Sequence, residues 1–347
     1  MPAPAPAATG PIALKGAPAS PYTRKMLALL RYRRIPYRLL VGPRGPLPGL
    51  PAPKVELLPT FFLPDAAGEL QAVVDSSPII RRLERDHSGR GVLPDDPAIA
   101  FIDELLEDYA DEWLTKAMFH YRWAYQADID KAGTILPRWR DMTGSETALA
   151  EASRQFAQRQ IGRLYVVGSN PVTAPVIEAA YVRFLALLEA HLAGHRFLMG
   201  ARPGASDFGV YGQLTQLTHF DPTPSVIALA RAPRAYAWVE LVEDLSGVEP
   251  GPADWFTRDT LPDSLRALLG ELARGYVPVM LANAAALKAG AERVETTVDG
   301  LPWVQQPFPY QGKCLQWLRE SFGRLPADER RWAASLLEET GCAALLG

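Results

Sequence analysis

The chain has 347 residues but only two cysteines, Cys314 and Cys342. Two thiols cannot form a disulfide framework, and these two lack metal-ligand spacing, so a reducing cytoplasm is the expected compartment. Histidine is scarce too, at 5. His191 and His195 stand four apart, a ligand spacing on a helix, but Gly194 interrupts them and no glutamate accompanies them, so no metal is expected. No apolar run is long enough to span a bilayer. The start, Met-Pro-Ala-Pro-Ala-Pro, has neither the cationic opening nor the apolar core of a signal peptide. There is no Arg/Lys block interleaved with aromatics, which argues against nucleic acid as a partner. No Gly-rich phosphate loop and no Gly-x-Ser-x-Gly elbow occurs.

What is present suits a globular chain of two domains and a further element: 48% hydrophobic and 22% charged residues over 347 positions. The net charge of −3 is unevenly placed. Residues 1–95 hold 13 Lys and Arg against 7 Asp and Glu, a net +6; the remainder holds 23 against 32, a net −9. A basic first part suits a small anionic ligand, although most such residues simply form solvated faces.

The chain is organised around Pro18-Ala19-Ser20-Pro21-Tyr22-Thr23-Arg24-Lys25. A short apolar segment at 11–15 precedes it and reads as a strand. After it, Met26, Leu27, Leu29 and Leu30 recur at helical spacing, so 20–34 reads as a helix. Ser20 is a good N-cap and Pro21 suits the first helical position. The hydroxyl then sits where free backbone N–H groups favour an anion. Residues 35–41 read as a second strand, and 42–53 as a Pro/Gly loop. The segment 59–63 reads as a third strand and 70–74 as a fourth. Asp75-Ser76-Ser77-Pro78 caps a helix from 79 to about 86. Residues 1–10 read as a disordered tail.

The order β-α-β then β-β-α is that of a thioredoxin-like domain, and three motifs fall in sequence along it. Ser20-Pro21-Tyr22-Thr23-Arg24-Lys25 resembles the active-site loop of serine- or cysteine-centred glutathione S-transferases. Leu58-Pro59 matches the pair around that family's cis-proline. Asp75-Ser76-x-Pro78-Ile79 matches its acidic-Ser motif. The resemblance implies an α/β thioredoxin-like domain over 11–95, an all-helical domain over 96–249, and a homodimer. It also implies glutathione as cosubstrate. Ser20 would stabilise the thiolate, the Leu58-Pro59 backbone would pair with the glutathione cysteine, and Asp75 and Ser76 would hold its γ-glutamyl end. Lys54, just before the third strand, is the candidate for the glycine carboxylate.

From 96 onward the pattern is helical. A long helix is expected over 98–130, followed by helices at about 146–166, 173–193, 205–219 and 225–245. Pro203-Gly204-Ala205-Ser206-Asp207-Phe208 resembles the family's buried-helix start, except that Gly204 stands where Ser or Thr usually completes the capping box. Asp207 is therefore expected to be structural. Residues 250–347 exceed the usual two-domain length. They read as one or two helices over 261–291, a hairpin around Asp299-Gly300, and helices at 311–323 and 326–340. This α/β extension could cover the cleft, complete the helical domain or meet a partner.

The electrophile's pocket is expected between the domains, bordered by Tyr22 and by Met118, Tyr121 and Arg122 on the long helix. No tyrosine precedes Tyr22, so a tyrosine-centred mechanism from the first strand is unavailable. No cysteine lies in the loop, so dithiol redox chemistry is excluded there. Two alternatives stay open: glutathione-dependent reduction or isomerisation, which uses the same thiolate, and a transferase fold that binds a partner without turnover.

Overall fold

The computed structural model describes residues 10–42, 45 and 47–347. The expected tail, 1–10, lies outside them except for Gly10, as do Pro43, Arg44 and Pro46 of the Pro-rich loop.

The first domain is a four-stranded sheet with two helices. Its elements are β1 (Ile12–Lys15), α1 (Pro21–Tyr32), β2 (Tyr37–Leu40), β3 (Thr60–Pro64), β4 (Leu70–Val73) and α2 (Ser76–Asp86). The strand order is β2-β1-β3-β4. β1 runs parallel to β2 and antiparallel to β3, and β3 is antiparallel to β4. β1 reads Ile-Ala-Leu-Lys and is buried throughout, because sheet neighbours flank it on both sides and helices cover it. Ser20 caps α1 with an extended backbone, and Pro21 follows at the first helical position.

The second domain departs from the expected single helix over 98–130. Instead α3 (Pro97–Tyr109) runs into a π-helical turn, Ala110–Leu114, and then α4 (Thr115–Ala124). At Tyr125 the backbone becomes extended, with φ −108° and ψ 133°. The chain turns there into α5 (Gln126–Arg138). Helical periodicity is the same on both sides of this break. At the break the Tyr125 hydroxyl makes a tertiary contact, donating to Glu178 at 2.6 Å.

α6 (Glu146–Ile161), α7 (Ala174–Leu192) and α8 (Ala205–Leu214) follow. The helix expected over 225–245 is two, α9 (Pro222–Arg231) and α10 (Pro233–Val242). Ala232 precedes a proline and leaves the helical region at φ −145°, ψ 64°.

Gly204 has a positive reason to be glycine. Asp103 on α3 caps α8 from outside, accepting from the Ala205 and Ser206 amides at 3.1 Å each. A Cβ at 204 would lie 2.3 Å from an Asp103 carboxylate oxygen. Asp207 completes the cap, accepting from Gly204 N at 2.8 Å and from Leu198 N at 2.9 Å. The missing hydroxyl is thus replaced by a carboxylate from another helix.

The extension comprises α11 (Asp263–Arg274), α12 (Tyr276–Ala289), the hairpin β5 (Val294–Val298) and β6 (Leu301–Gln305), α13 (Pro309–Gly323) and α14 (Ala327–Glu339). α11 packs along α7, α13 and α14 lie on α3, and the hairpin lies on α12. Trp303 from the hairpin stacks against Trp113, ring centroids 5.4 Å apart. Of the roles left open, completion of the helical domain is the one the packing displays. Among the described residues, no helix is long and apolar enough to cross a membrane.

Candidate active site

Ser20 sits half-buried where three backbone features meet. Its Oγ accepts from the Thr23 amide at 3.2 Å, which closes the N-terminus of α1. The same hydroxyl donates to the Leu58 carbonyl at 3.4 Å. Leu58-Pro59 is a cis peptide, the one among the described residues. The loop before β3 therefore presents the Leu58 backbone to the helix start.

A cleft of about 380 Å³ opens in front of Ser20. Its wall includes Tyr22, Leu58, Met118 and Arg122, four more of the residues named from the sequence. Tyr22 is anchored there, its hydroxyl donating to the Asp111 carbonyl at 2.9 Å. Arg122 is held by a buried carboxylate: its guanidinium donates to Asp221 at 2.8 Å and, through Nη1, to the Ala19 carbonyl at 3.1 Å. It thereby ties α4 to the Ser20 loop.

Other sequence candidates lie elsewhere. Tyr121 is buried inside the helical domain, stacked on Tyr125 at 5.5 Å and edge-on to Tyr181 at 5.4 Å. The aromatic stripe of α4 has two sides, and Tyr121 takes the inner one. Lys54 is exposed and does not line the cleft; the lysine at its wall is Lys15, at the end of β1. Lys15 Nζ donates to the Gly45 carbonyl at 2.7 Å and lies 3.5 Å from Glu56. His191 bonds to Ser264 Oγ and the Phe197 carbonyl, at 2.9 and 3.0 Å. Burial lowers its pKa to about 4.

Asp75 and Ser76 stand at the start of α2 but line a different environment. Asp75 takes a positive φ of 84° and makes no side-chain cap bond. Its carboxylate instead accepts from Tyr310 of α13 at 2.7 Å. Burial raises its pKa, with Tyr310 and Lys25 pulling the other way. Ser76 Oγ is buried and accepts from Lys25 Nζ at 3.0 Å.

Lys25 is the centre of a buried charge cluster. It donates to Glu107 at 2.7 Å and to Asp111 at 2.6 Å. Burial alone would lower its pKa, but Asp111 and Glu107 outweigh that and raise it. Burial lifts Asp111 to about 6, and Lys25 opposes the rise. A second cavity of about 300 Å³ adjoins this cluster, lined by Ser77, Glu107, Asp108, Asp111, Glu112 and Tyr310 among others. It shares no lining residue with the Ser20 cleft.

Sequence reasoning missed Lys25, Tyr310 and the α5–α6 wall of the cleft. Lys25 carried a usable signal. It lies four after Pro21 and three before Ala28, on the stripe of α1 that is buried. Tyr310 had none, because it meets Asp75 across 235 positions.

Residues 14–91 match the family model described as glutathione S-transferase, N-terminal domain. Residues 146–241 match that described as glutathione S-transferase, C-terminal domain. Together the two matches span half of the chain. No curated protein matches it. Among solved structures, a glutathione S-transferase from Methylobacterium radiotolerans, in complex with glutathione sulfonate, is 22% identical. The match covers 71% of this chain and 97% of that one, with a TM-score of 0.39. A GST-like protein from Pseudomonas syringae is 16% identical over 72% of this chain and 78% of that one, TM-score 0.41. A glutathione transferase family member from Pseudomonas fluorescens, with bound S-(propanoic acid)-glutathione, is 19% identical over 69% of this chain and 100% of that one, TM-score 0.36.

Proposed function

The chain belongs to the glutathione S-transferase family, and from that premise we propose that it binds glutathione at Ser20 and activates the thiol for attack on an electrophilic small molecule. The observation that carries this reading is the meeting of the Ser20 hydroxyl, the N-terminus of α1 and the Leu58 backbone beside cis-Pro59. A thiol with a pKa of about 8.5 is only a few per cent ionised at pH 7. Lowering it by about two units takes roughly 2.7 kcal/mol of selective stabilisation of the thiolate. A hydroxyl donor at the positive end of a helix is of the right kind to supply that. Ser20 would exchange its long bond to Leu58 for one to sulfur. The sulfur lone pair then forms a C–S bond as the leaving group departs with its electron pair. Reduction and isomerisation begin from the same thiolate and remain within this reading.

At the other end of the tripeptide, Asp75 would take the α-ammonium, with Tyr310 giving up its bond, and the start of α2 would take the carboxylate. The Ser76 hydroxyl is already engaged by Lys25, so Ser76 would contribute through its backbone. Lys54 is too exposed to be a strong partner for the glycine carboxylate; Lys15, at the wall of the cleft, is the better-placed lysine. The occupied state of Asp75 and Ser76 is also what favours the second reading, a transferase fold that binds without turnover.

Calorimetric titration with glutathione, with thiolate absorbance followed in parallel, separates these. The wild type binds and lowers the thiol pKa. Asp75→Ala weakens binding at least about tenfold, some 1.4 kcal/mol. Ser20→Ala keeps binding within about threefold and loses the pKa shift. No binding at millimolar glutathione overturns the catalytic reading.

A further inference from the structure

The α5–α6 hairpin walls one end of the Ser20 cleft. Trp139 and Arg140 just after α5 reach it, as do Phe156 and Arg159 of α6 and Arg163 beyond. Opposite them on α4 stand Met118, Phe119 and Trp123. Trp123 meets Phe156 edge-on at 5.8 Å between centroids, and Phe119 lies 6.4 Å from Trp123. This end of the cleft is therefore aromatic.

Its charge is mostly positive. On the same hairpin Arg138 pairs with Glu146 and Arg154 with Glu151. Arg140, Arg159 and Arg163, the three from this segment that line the cleft, have no ion-pair partner among the described residues. Glu56, the one carboxylate lining the cleft among those residues, is occupied by the Gly45 amide at 2.7 Å and by Lys15 at 3.5 Å. Arg140 is half-buried with its guanidinium over Phe156, 5.3 Å from the ring centroid. Burial lowers its pKa, and the charge of Glu56 opposes this only in part. The Gln160 side-chain oxygen, in the same cleft wall, is buried and unpartnered. The guanidinium of Arg140, beside an aromatic wall and near only a carboxylate that is already engaged, has donors free for a planar anion, and Arg159 and Arg163 add positive charge at the mouth.

We propose that this end of the cleft binds a small aromatic anion, an aryl carboxylate or sulfonate. The ring lies against the aromatic wall that Phe119 and Phe156 form over the buried Trp123, and the anionic group meets Arg140. Arg159 and Arg163, exposed at the mouth, add attraction from a distance. As a statement of the electrophile's class, this rests on the glutathione reading of Ser20. As a statement of binding, it stands without glutathione.

The test uses a matched pair on the full chain: 4-chloro-3-nitrobenzoate and its uncharged twin 4-chloro-3-nitrobenzamide. Binding is followed by calorimetry at pH 7 in low salt, with glutathione titrated separately. The benzoate is expected to bind at least about tenfold tighter than the benzamide, and salt at about 0.5 M should erase most of the difference. Arg140→Gln should bring the two within about twofold while glutathione affinity holds. The exposed double variant R159Q/R163Q keeps the test open should Arg140→Gln fold poorly; it should lower the benzoate preference about threefold or more. Equal binding of the two ligands by the wild type overturns the proposal, as does a preference that survives both variants. Benzoate preference without any glutathione binding would uphold the anion site and remove the glutathione reading instead.

Discussion

At the residue scale the chemistry of this fold turns on side chains whose partners no local rule supplies. Lys25 is the clearest. It sits on a helix whose other charged residues, Arg24 and Arg31, reach the surface and pair with Glu243. Lys25 is instead buried against Glu107, Asp111 and Ser76. Its removal leaves the buried Asp111 without its counter-charge and Glu107 with only Arg81, at 3.7 Å, a kind of loss that typically costs about 3–5 kcal/mol. Lys25→Ala is therefore expected to lose stability of that order at pH 8, measured by urea unfolding. The loss should shrink at lower pH. Without the ammonium, the folded-state pKa values of Glu107 and Asp111 rise above their unfolded values, so the stability they allow is present at low pH and is lost as pH rises through them. A deficit that is equal at pH 5.5 and pH 8 would show that the cluster is not held by charge.

Among the elements, the relation of α1 to α8 decides where Ser20 points. The two helices touch closely enough that a Cβ on Gly212 would lie 2.5 Å from the Pro21 carbonyl oxygen. That oxygen is backbone in the first turn of α1, next to the cap, and cannot swing aside as a side chain would. Gly212→Ala is expected to push the start of α1 outward, at a cost of about 1–3 kcal/mol for overpacking. Because the Ser20–Leu58 contact is already 3.4 Å, the displacement should show as weaker glutathione binding before it shows as unfolding. Calorimetry beside a thermal melt distinguishes the two. Unchanged glutathione affinity in a destabilised variant would mean that the helix contact serves stability only.

For the molecule as a whole, the extension is part of the core rather than an appendage. Leu265, Leu268, Leu269 and Leu272 of α11 are buried, and Tyr276 at the start of α12 meets Tyr109 of α3 at 6.0 Å between ring centroids. Arg183 of α7 binds Glu271 of α11 through two nitrogens. A chain stopped after residue 249 would expose the apolar faces of α3 and α7 that this region covers. It is expected to be insoluble or to aggregate on gel filtration. A monodisperse, cooperatively melting truncation would overturn that.

Several features were legible before folding because they are short-range. Ser20-Pro21 specifies a helix start by backbone chemistry alone, and it is found there with its capping bond. The hairpin around Asp299-Gly300 is found as β5 and β6, paired from Val294–Gln305 to Val298–Leu301, because a two-residue turn needs residues tolerant of positive φ. Leu58-Pro59 is cis. The order of strands and helices likewise follows from periodicity. What only the tertiary structure decided is everything that depends on one segment meeting another far along the chain. The break at Tyr125 comes where its hydroxyl bonds Glu178, more than fifty positions on. Asp103 replaces the missing cap at Gly204 from a hundred residues away. Tyr310 reaches Asp75 from the extension, and the α5–α6 segment brings Arg140 and Arg159 to the cleft. Local sequence governs backbone dihedrals and capping, whereas the partner of a buried charge is chosen by packing, which brings together groups that share no sequence neighbourhood.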